Sequence, residues 1–206
     1  MSVSELTELQ RDALGELFNL GVGRAAHSLS QMVRDEIELS APIVNLVHPD
    51  AVATLLLGSE FSQLSMVSID FSGPFDARSI LLFPERNALA IVSHMLDPDM
   101  TPEELSEFEQ EAMCEIGNII LNACISALAD EFGVQFHGGL PVHHYSDSRS
   151  LPLSERIETQ RILVLQINLT MRQERIQGHL LFLMSISSLQ SLIDCVDAYL
   201  ARHGMA

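Results

Sequence analysis

Basic residues are scarce in this sequence. Its 206 residues include 11 arginines and no lysine against 28 aspartates and glutamates, and the formal net charge is −17 at pH 7. Nucleic acids and anionic membranes attract proteins largely through cationic side chains, so the charge balance argues against both as binding partners. It also disfavours a pocket for free phosphorylated metabolites. Any phosphate chemistry would need its positive charge from another protein.

Cysteines and long apolar runs are few as well. The three cysteines, Cys114, Cys124 and Cys195, are an odd number and form no CxxC motif, which is typical of a reduced, cytosolic protein. Apolar runs such as Ala51–Leu57 are far shorter than the roughly 20 residues that span a bilayer. The N-terminal residues lack the basic start and apolar stretch of a secretory signal. We therefore expect a cytoplasmic chain without membrane insertion.

The chain repeats itself at an offset of 99 residues. Glu16 and Asn19 recur as Glu115 and Asn118. The same offset pairs 7–10 with 106–109, which are both patterned as helix-capping boxes, Pro42 with Pro141, and 81–83 with 180–182. Four landmarks in one register predict a tandem duplication, with repeats at about 1–98 and 99–206. The junction is expected near 96–102, where two prolines and several turn-forming residues interrupt regular structure.

Both repeats show the same order of patterns. A long helix is predicted at about 8–33 and again at about 104–131, with Thr101 or Ser106 as the cap of the second. An extended segment with a proline follows, at about 36–48 and 134–145. Two strands and an amphipathic helix then close each repeat. The strands are expected around 67–71, 78–83, 163–169 and 176–184, and the closing helices around 89–96 and 189–196.

These patterns predict an α+β fold. No strand–helix–strand alternation of the parallel type is present, so a mainly antiparallel sheet is expected, packed against two long exposed helices. Neither half has enough strands to enclose a core comfortably. We therefore expect a single domain, residues 1–206, with pseudo-two-fold symmetry.

Polar side chains recur along one face of each long helix. Asp12, Glu16 and Asn19 lie at positions i, i+4 and i+7, with Gly23 next, and we call these four residues the first stripe. The second stripe repeats them as Glu111, Glu115, Asn118 and Asn122. Most apolar residues of the helices lie off the stripes, so both should face solvent or a partner. Asparagine is unfavourable within helices, yet it occurs there twice in register. A single Glu-x-x-Asn is usually ordinary surface, and duplication alone could preserve a second copy.

The first stripe, continued by Leu20-Gly21-Val22-Gly23-Arg24-Ala25-Ala26, resembles the signature helix of the CheC/CheX/FliY phosphatases of bacterial chemotaxis. The segment 115–120 resembles it too, and two copies at this spacing are most similar to the CheC-like members. One position departs, since residue 111 is Glu where the family has Asp or Ser. The resemblance implies that Glu16, Asn19, Glu115 and Asn118 are catalytic, with Asp12, Glu111, Gly23 and Asn122 in supporting positions.

The resemblance also implies a substrate and a mechanism. The family hydrolyses the aspartyl phosphate of a CheY-like response regulator, an acyl phosphate that is already activated toward water. An asparagine amide both donates and accepts hydrogen bonds, so it can orient the attacking water, while the glutamate docks on the regulator's lysine. No cofactor or metal is expected on this chain. A divalent cation, Mg²⁺, belongs to the regulator's own active site.

Two other functions compete with catalysis. The chain could be a binding module that contacts a phosphorylated regulator without hydrolysing it, like the middle domain of flagellar switch proteins. It could instead be an adaptor for another protein, since some relatives work with the deamidase CheD, although no surface in the sequence identifies such a contact.

Three further signals have ordinary structural interpretations. His143 and His144 are adjacent on an extended segment, so they should point to opposite faces, and with His137 they are expected to be ordinary polar residues rather than metal ligands. Cys114 is expected to be a buried structural thiol. The 21–23 segment, Gly-Val-Gly, indicates close helix packing or partner approach rather than a phosphate loop.

Overall fold

The computed structural model describes residues 5–33, 36–49, 51–52, 63–95, 101–147, 160–171 and 174–205. The elements, in chain order, are α1 (Glu8–Val33), β1 (Ile37–Val47), β2 (Gln63–Ser72), β3 (Ala77–Pro84), α2 (Glu85–Met95), α3 (Pro102–Phe132), β4 (His137–Gly138), β5 (Val142–Asp147), β6 (Gln160–Met171), β7 (Glu174–Ser185) and α4 (Ile186–Arg202). The predicted α+β class is confirmed.

The strands form one antiparallel sheet that mixes the two halves of the chain. Its order is β1-β6-β7-β3-β2-β4, and β5 also pairs with β2. The strand β1 lies beside β6 from the second half, and β5 lies beside β2 from the first half. Each half therefore supplies an edge strand to the other. The predicted junction between the repeats lies largely outside the described residues.

The duplicated prolines occupy matching breaks at the two edges of the sheet. In β1 the register shifts between Ser40 and Ile43, the stretch that contains Pro42. At the other edge, β4 ends at Gly138 and β5 begins at Val142, on either side of Pro141. Proline cannot donate a ladder hydrogen bond, so it is confined to edges and irregular positions in sheets. Its recurrence at one offset is explained by this constraint.

The long helices begin at reciprocal caps. In α1 the backbone N–H of Gln10 donates to Thr7 Oγ1 and that of Thr7 donates to Gln10 Oε1. In α3 the cap is Thr101, which exchanges the same two bonds with Glu104. The Ser106 alternative is therefore wrong, because α3 extends beyond its repeat-related partner and Pro102 fits the first turn.

The helices cover one face of the sheet. A continuous apolar core joins buried residues of all four helices to this face. As predicted, apolar residues of the long helices that lie off the stripes are buried: Leu14, Leu17, Phe18, Leu29, Met113, Ile116, Ile120 and Leu128. A second cluster, including Leu64, Met66 and Val164, lies on the opposite face.

The helices α1 and α3 approach each other closely at Gly21. A methyl group at this position would lie 2.7 Å from the Cα of Cys124, so only glycine lets the two backbones come this near. The interpretation of this glycine as a packing residue is confirmed. An exposed ion pair between Arg24 and Asp130, with 2.6 Å between Nη1 and Oδ2, also links the two helices.

The segment Phe108–Phe132 of α3 is long and apolar enough to cross a membrane by length and composition alone. Uninterrupted apolar runs in the sequence do not reveal it, because polar residues are interspersed. Half of its most apolar stretch is buried inside the fold, against α1 and the sheet. That is how the core helix of a globular protein packs.

Candidate functional site

Both stripes face outward. Asp12, Glu16 and Gly23 are exposed on α1, and Asn19 is half-buried among them. On α3, Glu111 and Glu115 are exposed, while Asn118 and Asn122 are half-buried. The predicted orientation of the stripes is confirmed. Asn19 and Asn118 are both partly exposed, so a visiting protein can reach them. Their catalytic role is a separate matter, which exposure does not decide.

Each asparagine follows directly after a residue that is seated against the sheet. Before Asn19, the ring of Phe18 packs on Phe182 of β7, with ring centroids 5.0 Å apart. Before Asn118, Gly117 lies so close to β2 that a methyl group there would be 2.5 Å from Val67 Cγ1. The first repeat thus has a large residue, Phe18, at the position where the second repeat has Gly117. Both helices are anchored at the point where the amide projects, as a precisely placed polar group requires.

The two asparagines differ in their immediate neighbours. Asn122 Nδ2 lies 2.8 Å from Asn118 Oδ1 and 2.8 Å from the backbone oxygen of Asn118, and it donates to both. At the matching position of the first stripe stands Gly23, which has no side chain. Asn19 therefore cannot receive the contact that Asn118 receives. The stripes are alike in sequence pattern but different in structure.

The stripes carry negative charge without a compensating cation of their own. Each contributes two exposed carboxylates and no basic residue. Within the described part of the chain, no group of three or more His, Cys, Asp and Glu side chains is arranged to hold a metal ion. A complementary partner would therefore bring positive charge to the stripes.

A partly buried polar cluster lies on the other side of α3, against β2 and β5. Tyr145 Oη donates to Glu109 Oε2 at 2.7 Å, and Ser65 Oγ lies 2.8 Å from His143 Nε2. The rings of His143 and Tyr145 are in edge contact, 4.9 Å apart. Burial raises the pKa of Glu109 and lowers that of His143. The sequence analysis missed this cluster, although helical spacing places Glu109 on the same face as the buried Met113 and Ile116.

The structure tests the predictions for the adjacent histidines and for Cys114. His143 pairs with Val67 and His144 with Met66, so the two rings do lie on opposite faces of the sheet. His143 is half-buried and hydrogen-bonded to Ser65. Cys114 is also half-buried, and burial raises its pKa. The fully buried thiol is Cys124, whose pKa burial raises to about 12.

Known sequence families match both parts of the chain. Residues 65–162 match the family described as chemotaxis phosphatase CheX, and residues 9–46 match the CheC-like family. The CheX match contains the second stripe, on α3. The CheC-like match contains the first stripe, on α1.

Two characterised proteins of Bacillus subtilis (strain 168) are related to the chain. The CheY-P phosphatase CheC is 25% identical over 139 residues, which are 66% of this chain and 66% of CheC. The flagellar motor switch phosphatase FliY is 21% identical over 164 residues, which are 79% of this chain but 42% of FliY. The chain thus matches just under two thirds of CheC and less than half of FliY.

Solved structures share the fold. Thermotoga maritima FliY superimposes with a TM-score of 0.76 at 17% identity, covering 94% of this chain and 98% of that one. The FliM middle domain of H. pylori gives 0.67 at 10% identity, covering 92% and 99%. The CheX–CheY–BeF3–Mg²⁺ complex of Borrelia burgdorferi gives 0.50 at 18%, covering 82% and 97%.

The antiparallel sheet with its two stripe-bearing helices is therefore a fold that this chain shares with Thermotoga maritima FliY and the FliM middle domain of H. pylori. The chain belongs to the CheC/CheX/FliY family. The resemblance noted in the stripes is confirmed at the level of the family.

Proposed function

We propose that this chain hydrolyses the aspartyl phosphate of a CheY-like response regulator. Asn19 and Asn118 orient the attacking water, and Glu16 and Glu115 contact the lysine of the regulator's active site. The observation that carries the proposal is the outward projection of two Glu–Asn pairs from anchored helices. Membership of a family whose named relatives include a CheY-P phosphatase supports it.

The chemistry asks little of the phosphatase beyond positioning. The carboxylate of an acyl phosphate is a good leaving group, and the regulator's own cations balance the charge on the phosphoryl oxygens. What remains for the phosphatase is to hold one water molecule in line with the departing carboxylate. Orientation of this kind can lower an activation barrier by several kcal/mol. A neutral amide provides hydrogen bonds for this water without repelling the phosphoryl group. A carboxylate at the same place would add unfavourable negative charge.

The shape of the site favours a protein substrate. Each stripe is the exposed face of a helix, whereas small-molecule sites are usually enclosed pockets. A phosphoryl group held on another protein can be presented to such a surface, with that protein supplying the metal and the lysine. The net charge of −17 agrees with this division of labour.

Catalysis requires the two residues of each pair to act together. Glu16 and Asn19 are three positions apart on α1, so their side chains lie on neighbouring parts of the same face. A regulator whose lysine meets the glutamate is then placed with its phosphoryl group next to the amide. Glu115 and Asn118 repeat this spacing on α3. A divalent metal, expected as Mg²⁺, would remain with the regulator throughout. The reaction is expected to take place in the cytoplasm.

The second candidate is a binding module that does not hydrolyse the phosphate. The fold similarity to the FliM middle domain favours it, although at 10% identity this similarity concerns the fold alone. A pure docking surface has no need of an amide beside each glutamate. Contact with CheD stays a prediction from the family resemblance.

The test compares turnover with binding. A CheY-like regulator from the same organism is phosphorylated, the phosphodonor is removed, and loss of phosphate is followed with wild type, Asn19→Ala, Asn118→Ala and the double variant. We expect each single variant to keep part of the activity and the double variant to fall to the regulator's own rate. Asn45→Ala, on the sheet face away from the helices, is the matched control and should be fully active.

Affinity is measured separately with the regulator in its beryllofluoride-activated form. Retained binding by the double variant would support a catalytic role for the amides. Full hydrolysis by the double variant would disprove the proposed mechanism, and binding without hydrolysis by wild type would establish the binding module.

A further inference from the structure

The orientation of the Asn118 amide is determined by its neighbour. A backbone carbonyl oxygen can only accept hydrogen bonds, so the Asn122 atom 2.8 Å from the Asn118 backbone oxygen must be the amide nitrogen. That nitrogen also lies 2.8 Å from the Asn118 side-chain amide, whose facing atom must then be Oδ1. The Asn118 Nδ2 consequently points away from Asn122. Among the described residues it has no acceptor.

Asn122 lies next to a glycine of β4. A methyl group on Gly138 would be 3.4 Å from Asn122 Oδ1 and 2.9 Å from Phe71 Cε1. Gly138 pairs with Phe71 at the end of β2. Glycine at position 138 thus leaves the space that the Asn122 side chain occupies beside the strand.

The first stripe lacks both parts of this arrangement. Gly23 stands in place of Asn122, and a methyl group there would meet nothing within 4 Å. Leu39 is the residue 99 positions before Gly138, so a leucine stands where the second half has a glycine. The pair Gly23 and Leu39 therefore replaces Asn122 and Gly138. The two sites differ in a way that duplication by itself would not produce.

We infer that Asn122 is a positioning residue that preorganises the second site. It fixes the Asn118 side chain with one lone pair of Oδ1 engaged, leaving the other lone pair and both N–H groups for a water molecule. Position 23 supplies no such donor to Asn19, so the two amides are oriented by different surroundings. This inference rests on the proposed phosphatase function, because it concerns the amide that would orient the attacking water.

The experiment uses variants in which a single site remains. In the Asn19→Ala background, Asn122→Ala and the similarly sized, uncharged Asn122→Leu both remove the donor. Each should lower kcat by about threefold to tenfold, the factor expected when one side chain must be ordered during the reaction. The KM for the phosphorylated regulator should change less than about twofold, because neither substitution touches Glu115.

The reciprocal variant is made in the Asn118→Ala background. Gly23→Asn introduces the donor of the second site into the first, and it should raise kcat by a similar factor with KM unchanged. Asparagine is a slightly better helix former than glycine, so this substitution is compatible with α1. A substitution at position 23 that only stabilised the helix would raise the melting temperature without raising kcat.

Two kinds of failure can be told apart. If both single-site parents lack activity, the proposed phosphatase function fails and Asn122 has no reaction to assist. If the parents are active and both Asn122 variants keep kcat within about twofold, or change KM instead, the positioning role is wrong. Should the Asn122 variants fail to fold, as judged by thermal unfolding, Gly23→Asn decides alone, and an unchanged kcat overturns the inference.

Discussion

The hydroxyl of Tyr145 donates a 2.7 Å hydrogen bond to Oε2 of Glu109, a residue of α3 that is almost completely buried. Its other oxygen, Oε1, has no hydrogen-bond partner within the described part of the structure. Burying a carboxylate with one unpaired oxygen is unfavourable, so burial raises the pKa of Glu109 above its ordinary value of 4.5, although the bond from Tyr145 partly opposes this. The cluster therefore links the stability of the fold to pH.

Replacement of this carboxyl group by an amide should stabilise the protein at neutral pH. The pKa of Glu109 is higher in the folded protein than its ordinary value of 4.5. The neutral carboxyl group therefore contributes its full stability below pH 4.5, and this contribution is lost as the pH rises through the pKa of the folded state. Glu109→Gln cannot ionise, so its melting temperature should exceed that of wild type at pH 7. The difference should shrink as the pH is lowered toward 4.5.

Thermal unfolding across this pH range measures the effect. Glu111→Gln, at an exposed position of the same helix, is a control for the loss of one negative charge. A Glu109→Gln protein less stable than wild type at pH 7, and increasingly so at higher pH, would show that the carboxylate form is the one the fold prefers.

The close approach of α1 and α3 predicts a penalty for any side chain at Gly21. Gly21→Ala would place a methyl group 2.7 Å from Cys124 Cα, and separation of the helices should cost about 1–3 kcal/mol of unfolding free energy. Gly15→Ala is the matched control on the same helix, because nothing lies within 4 Å of a methyl group there. It should stabilise by up to about 1 kcal/mol. Denaturant unfolding of both variants checks the prediction, which equal effects would contradict.

The cap of α3 can be tested against the alternative that the sequence left open. Thr101→Ala removes the acceptor for the Glu104 N–H and should cost about 1 kcal/mol. Ser106→Ala lies within the helix and should be neutral or slightly stabilising. Denaturant midpoints of the two variants distinguish the caps. A larger loss in Ser106→Ala would place the functional start of the helix at the later residue.

The exposed glutamates should contribute to recognition more than to chemistry. Replacing Glu16 and Glu115 together by glutamine removes a charged hydrogen bond at each site, so KM for the phosphorylated regulator should rise about tenfold, or ~1.4 kcal/mol. The effect should weaken as ionic strength rises, because exposed charges are screened. Initial rates at several salt concentrations measure it. Replacing Glu38 and Glu131, which lie outside the stripes, together by glutamine provides a charge-matched control, and an equal loss there would point to net charge instead of docking.

Much of the architecture followed from patterns that are local in the chain. The bounds of α1 agree with the prediction, since apolar spacing and the Thr7 cap both act within a few residues. The order of strands and closing helices was also predicted, because alternation and helical spacing record which face of each element is buried. The outward orientation of the stripes followed from the same spacing.

Other features depend on residues that are distant in sequence. The burial of Glu109 was missed because a glutamate on a helix is usually exposed, and only the arrival of β2 and β5 encloses it. The cap of α3 was left undecided because two segments satisfied the same local rule. The contact between Asn122 and Asn118 was not foreseen, since helical spacing brings two side chains near without deciding their rotamers.

By itself, the sequence determined the repeat, the helices and the faces that they bury, because these depend on short-range sterics and on the periodicity of apolar residues. Only the tertiary structure decided that each half lends an edge strand to the other, that α1 and α3 meet at Gly21, and that one asparagine is held by a neighbouring amide while its counterpart has a glycine at that place. These outcomes depend on which surfaces pack together most closely, and close packing is a property of the whole chain.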